Sequence, residues 1–114
     1  MSDGYSLTQD GAIARVTFER PEKGNLLTLS MLTDIAKDIR DAGSSQNINV
    51  LVVRGNGDDF CRGRDPDGAP EGKPNTALEM REALIEPILG VYSAIRDAEV
   101  PVVTGILGLA NGLG

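Results

Sequence analysis

Two apolar runs constrain this chain more than any other feature: "VLVV" at residues 50–53 and "PVVTGIL" at residues 101–107. Neither alternates apolar with polar side chains as a strand with one wet face would. Each is therefore expected to be a parallel strand covered on both faces. Between them, Met80, Leu84, Ile88, Val91 and Ile95 keep helical spacing. A strand–helix–strand passage of this kind calls for neighbouring parallel strands joined by a right-handed crossover. Each run also opens into a glycine-bearing loop, "DDFCRGRDPDG" after the first and "GLANGLG" after the second. Loops leaving the carboxyl ends of parallel strands can converge on one crevice. There they can offer two backbone N–H groups to a single oxygen.

The rest of the chain supplies covering layers. Residues 5–9 and 12–19 read as a hairpin around Asp10-Gly11. In its second strand Ala14, Val16 and Phe18 alternate with Arg15, Thr17 and Glu19, leaving one face solvated. After the loop "RPEKGN", Thr28 caps a helix whose stripe is Met31, Leu32, Ile35, Ala36, Ile39 and Ala42, with Gly43 as its stop signal. Residues 55–75, rich in Gly, Pro and Asp, are too long for a simple connector and make a functional-loop candidate. Thr76 and Glu79 form a capping box for the second helical region, which Pro87 is expected to kink or split. With 114 residues, there is room for one small α/β domain.

Composition removes several kinds of chemistry. The chain has no histidine, which excludes a Ser-His-Asp triad, a Cys-His pair and a His-rich zinc site; no metal is expected. Cys61 is the sole cysteine and reads as a small buried thiol, with no internal disulfide. The opening residues are polar and acidic, unlike a signal or transit peptide, and the single cysteine with no internal partner points to a reducing cytoplasm as the expected location. Seventeen acids against eleven bases give a net charge of −6, which disfavours nucleic acid or an anionic membrane as partner. The glycines of "GLANGLG" are spaced G-x-x-x-G-x-G, missing the dinucleotide pattern, and no Lys-Ser/Thr follows as in a Walker loop. A tight turn after a strand is the plainer reading of that segment.

In combination and in order, three segments resemble the crotonase (enoyl-CoA hydratase/isomerase) superfamily. "ARVTFERPEKGNLLTLSML" resembles its first strand, Arg-Pro loop and opening helix. "NVLVVRGNGDDFCRGRDPDG" resembles its strand and F-C/S-x-G-x-D loop, and "PVVTGILGLANGLG" its P-V-I-A-x-x-x-G-x-A-x-G-G-G segment. The resemblance implies an incomplete crotonase spiral fold of ββα-type units, with residues 1–114 forming the N-terminal part of an acyl-CoA-binding domain. It implies a soluble enzyme of fatty acid metabolism that holds an acyl-CoA thioester and stabilises an enolate-like anion with a backbone oxyanion hole. No separate cofactor is expected, since coenzyme A is part of the substrate. The full-length protein would be a homo-oligomer, a trimer or hexamer. The alternative is a non-catalytic relative that binds acyl-CoA or serves as an assembly subunit.

Residue by residue, the resemblance places the first oxyanion donor at the N–H of Arg64 and the second at that of Leu113, where the family usually has glycine. Arg62, Gly63, Asp65 and Gly112 would line the substrate site. Lys23, with Arg20 nearby, matches a position where some relatives carry basic side chains near the coenzyme A phosphates. Arg62 and Arg64 replace small residues. They suit either an anionic substrate group or ion pairs with Asp58, Asp59 or Asp67. Family hydratases place two acid/base glutamates at positions that fall past Gly114. The 114-residue chain alone is therefore expected to be inactive in hydration, and Val102, Val103, Ile106 and Leu107 to be incompletely covered.

Overall fold

A computed structural model of the chain describes residues 4–66 and 76–114. Strands β1 (Tyr5–Asp10) and β2 (Ile13–Phe18) precede helix α1 (Leu29–Gly43) and strand β3 (Val50–Gly55). Helices α2 (Ala77–Met80) and α3 (Glu86–Asp97) then lead to strand β4 (Val102–Gly105). Among the described residues the strands form one sheet in the order β1-β2-β3-β4. The β1–β2 pair is antiparallel, and β2–β3 and β3–β4 are parallel, as expected from the apolar runs. Leu51 stands opposite Val102 and Arg54 opposite Gly105.

Local chemistry accounts for each element. In β2 the alternation holds, with Ala14, Val16 and Phe18 buried. The hairpin pairs Asp10 with Ile13, so its turn is centred on Gly11-Ala12, one residue later than Asp10-Gly11. The reason is conformational: the turn needs a positive φ at its first central position, and Gly11 supplies it at +61°. At the start of α1, the Thr28 Oγ1 accepts a 3.1 Å hydrogen bond from the Met31 N–H. The helix buries Leu32, Ile35 and Ile39, each 1 % exposed, in a core with Val16, Leu51 and Val53. Each such side chain contributes roughly 1.5–3 kcal/mol through burial. Gly43 is the last residue of α1 rather than a left-handed stop. A Cβ there would lie 3.0 Å from that of Ala98, so the glycine serves close packing against the α3–β4 connection.

Three further expectations change in detail. In β3 only Leu51 and Val53 are buried, while Val50 and Val52 are half-buried, so one face is packed and the other partly covered. Strand β4 ends at Gly105, short of Leu107. Val103, Ile106 and Leu107 are 53 %, 59 % and 67 % exposed, and Val102 is half-buried. Pro87 splits the second helical region by a specific device, a π-helical turn at Arg81–Ile85 between α2 and α3. Proline has no N–H and its ring crowds the carbonyl four residues back. Widening the preceding turn sends the Glu86 N–H to the Arg81 carbonyl and puts Pro87 in the first turn of α3, where it is tolerated. At the start of α2, as the capping box expects, Thr76 Oγ1 accepts from the Glu79 N–H at 3.1 Å. Leu84, Ile88, Val91 and Ile95 pack against the core as a stripe, with Met80 exposed at its start.

Candidate functional site

The two glycine-bearing loops leave the carboxyl ends of β3 and β4, which are parallel neighbours, so their first residues are already side by side. A small parallel ladder then holds them. On one side of residues 61–65, the Arg62 N–H donates to the Gly24 carbonyl at 3.0 Å, Leu27 to Gly63 at 2.9 Å and Asp65 to Leu27 at 2.8 Å. On the other side, Cys61 donates to the Leu109 carbonyl at 3.1 Å and Asn111 to Cys61 at 3.0 Å. The Arg-Pro loop, the cysteine loop and the glycine loop thus form three adjacent strips with Cys61–Asp65 in the middle.

Side chains lock this arrangement. Asn25 is fully buried; its Oδ1 accepts from the Arg20 N–H at 2.9 Å, and its Nδ2 donates to the carbonyls of Asn56 (2.8 Å) and Asp59 (2.9 Å). It takes a positive φ of 56°, which asparagine tolerates better than most residues. Sequence reasoning missed Asn25; the Gly-Asn pair before the first helix was the available signal. Arg20 turns inward, donating to the Leu26 carbonyl at 2.8 Å and to Asp65 Oδ2 at 2.9 Å. The Asp65 side chain is 3 % exposed, so this pair braces the middle strip from within. Asp59 joins the loops from outside, its Oδ1 accepting from the Leu109 N–H at 3.0 Å and its Oδ2 from Arg62 Nε at 2.8 Å. The Leu109 hydrogen bond, followed by the Arg62 guanidinium, holds this carboxyl below the usual carboxylate range.

Gly63 and Gly112 sit at the centre. Gly63 has φ +117° and Gly112 φ +58°, and a Cβ on Gly112 would lie 3.9 Å from the Gly63 Cα. The unusual φ of Gly63 breaks the alternation of an extended strand. Arg62 and Asp65, three residues apart, both donate toward residues 24–27, whereas strict alternation would put their N–H groups on opposite sides. The Arg64 N–H consequently turns away from Leu27, to the side where the glycine loop runs. Neither it nor the Leu113 N–H donates a hydrogen bond to any described residue. Each follows one of the two apposed glycines. The Leu113 carbonyl, in turn, accepts from the Tyr92 hydroxyl of α3 at 3.0 Å.

Two recesses flank this centre. One is an apolar cavity of about 240 Å³ whose lining includes Phe18, Val53, Phe60, Ile88, Val91 and Leu113. The other is a polar cleft of about 490 Å³ between the Arg-Pro loop and residues 57–62, and it brings Lys23 and Arg62 together. Lys23 is exposed and makes no ion pair among the described residues. Arg62 is paired with Asp59, one of the partners considered for it. Asp67 lies outside the described residues. Cys61 is fully buried, and burial pushes its thiol pKa up, as suits a packing residue rather than a nucleophile. Among the described residues no three metal-ligating side chains cluster, and no helix is long and apolar enough to cross a membrane.

Residues 8–114 match the family described as enoyl-CoA hydratase/isomerase. A probable peroxisomal enoyl-CoA hydratase of Arabidopsis thaliana is 34 % identical over 95 residues, covering 75 % of this chain and 35 % of its own. A probable enoyl-CoA hydratase of Mycobacterium tuberculosis is 31 % identical over 108 residues, 95 % of this chain and 40 % of its own. The crystal structure of an enoyl-CoA hydratase from Mycobacterium avium superposes with a TM-score of 0.82 at 25 % identity, covering 99 % of this chain and 42 % of the other. The chain therefore spans roughly two-fifths or less of the length of these proteins.

Proposed function

The chain belongs to the enoyl-CoA hydratase/isomerase family, and from that premise we propose that it carries the thioester-holding part of an acyl-CoA site. The Arg64 and Leu113 N–H groups hold the thioester oxygen. When a proton leaves the α-carbon, or a nucleophile adds at the β-carbon, negative charge collects on that oxygen as an enolate. Two donors fixed in advance stabilise this charge without reorganising, and losing one such donor typically costs about 3 kcal/mol of transition-state stabilisation. The observation that carries the reading is that both N–H groups follow apposed glycines of positive φ and are unengaged by other described residues. Of the two recesses, the polar cleft lined by Lys23 and Arg62 together with Glu22, Asp58 and Asp59 is the one open to the hydrophilic part of coenzyme A.

The test is spectroscopic. A thioester labelled with ¹³C at its carbonyl should show a downfield shift on saturable binding, because two donors polarise the bond. In a bound crystal structure both nitrogens should lie about 2.7–3.1 Å from the oxygen. Saturable binding with an unshifted carbonyl would refute the two-donor site. The 114-residue chain alone should not hydrate crotonyl-CoA. Hydration needs a group to activate water and another to protonate carbon, each worth roughly 10²–10⁴-fold. Of the acids beside the site, Asp59 is held ionised by its donors and Asp65 is paired with Arg20. Turnover that scales with this chain would overturn that expectation.

A further inference from the structure

The Arg64 side chain is the one element of the site that the thioester reading leaves without work. Its Nη1 is buried and has no hydrogen-bond partner, and its guanidinium makes no ion pair among the described residues. The contrast with its neighbours is chemical. Arg20 and Arg62 sit in the same loops, and each has a carboxylate at 2.8–2.9 Å. A guanidinium nitrogen withdrawn from water without a partner is costly, and the cost is recovered when an anion arrives. Fully fork-shaped donors suit a planar carboxylate in particular.

We propose that the acyl group of the substrate carries a carboxylate, and that Arg64 binds it. This rests on the acyl-CoA reading above and adds the substrate class: thioesters of dicarboxylic acids. Backbone and side chain of one residue would then act at two points of the ligand, the N–H at the thioester oxygen and the guanidinium at the far end of a short acyl chain. The coenzyme A phosphates are a poor alternative, because the pantetheine arm separates them from the thioester by more than an arginine side chain spans. The apolar cavity beside Leu113 is the competing seat for the acyl group, and Arg64 is not among its lining residues. The two environments make opposite demands on the substrate.

Matched pairs of thioesters separate them. Malonyl-CoA and propionyl-CoA, and glutaryl-CoA and pentanoyl-CoA, differ only in a carboxylate against a methyl group. Calorimetric titration of the protein should give at least tenfold tighter binding for the carboxylate member of one pair. Arg64→Met should abolish that preference, and Arg64→Lys should keep part of it. Equal or tighter binding of the neutral members by the wild-type protein would overturn the inference and leave the acyl-CoA reading standing. Equal weakening of free coenzyme A by Arg64→Met would put the guanidinium on a phosphate and overturn it too. Binding of no thioester at all would remove the acyl-CoA reading and this inference with it. The wild-type ratio needs no variant, so a poorly folding substitution does not blunt the test.

Discussion

The Tyr92 hydroxyl donates a 3.0 Å hydrogen bond to the Leu113 carbonyl, fastening helix α3 to the glycine loop 21 residues later. The contact fixes the peptide plane beside the Leu113 N–H, so helix packing and donor direction are mechanically joined. Tyr92→Phe removes one hydrogen bond at an exposed site, and the global loss should be at most about 1 kcal/mol. Acyl-CoA affinity should fall several-fold, because a loosened loop no longer aims its N–H. Calorimetry beside urea denaturation separates the two effects. Unchanged affinity would show that the loop is held by its other contacts.

Two glycines should respond oppositely to alanine. Gly90 lies inside α3, where an added Cβ would meet only the Ala36 Cβ at 3.9 Å. Gly90→Ala should stabilise the protein by up to about 1 kcal/mol through helix propensity. Gly63 has φ +117°, and its Cβ would stand 3.2 Å from the Asn111 carbonyl oxygen. Gly63→Ala should destabilise by about 1–3 kcal/mol and abolish thioester binding. Denaturation midpoints of the two variants on the same side of wild type would contradict this account.

The Arg20–Asp65 pair is nearly dry, with side chains 17 % and 3 % exposed. Asp65→Ala leaves a largely buried guanidinium with only the Leu26 carbonyl as oxygen acceptor, and breaking a buried pair typically costs about 3–5 kcal/mol. The Arg20→Met, Asp65→Leu double variant should lose much less than the two single losses added together. Additive losses in a double-mutant cycle would show that the two residues act independently.

Asp59 predicts a pH dependence whose sign follows from its environment. Its folded pKa lies below the unfolded value of about 3.9, because the Leu109 N–H and Arg62 favour the ionised form. The stability it contributes is therefore complete above that unfolded value and is lost as pH falls through the lower folded one. The Leu109 amide resonance should titrate in the same acid range, and Asp59→Asn should remove that titration. A Leu109 midpoint at or above the unfolded value would contradict the assigned hydrogen bond.

What the sequence determined by itself is what depends on near neighbours along the chain. The stripe from Met31 to Ile39 is buried as its spacing predicts, because helical period alone decides which side chains share a face. The parallel pairing of β3 and β4 was legible for a similar reason: two apolar runs with a helical passage between them have few ways to share a sheet. The exposure of Val103, Ile106 and Leu107 also followed expectation. The limits of that reading appear where a backbone must satisfy two demands at once. Pro87 announced an interruption, but only the packed helix shows that a π turn absorbs it.

Tertiary structure alone decided which charges meet. Arg20, Arg62 and Arg64 look alike in the sequence, yet one is paired with Asp65 from 45 residues away, one with a neighbouring Asp59, and one with no described residue. Likewise nothing local joins Asn25 to Asn56 and Asp59, or sets Gly112 against Gly63. These contacts depend on where three loops come to rest, and the loops are held by one another's N–H and carbonyl groups rather than by any pattern within them. A charge finds its partner only after the backbone has fixed the distance. That is why the fold could be read from spacing, and the division of labour among the three arginines could not.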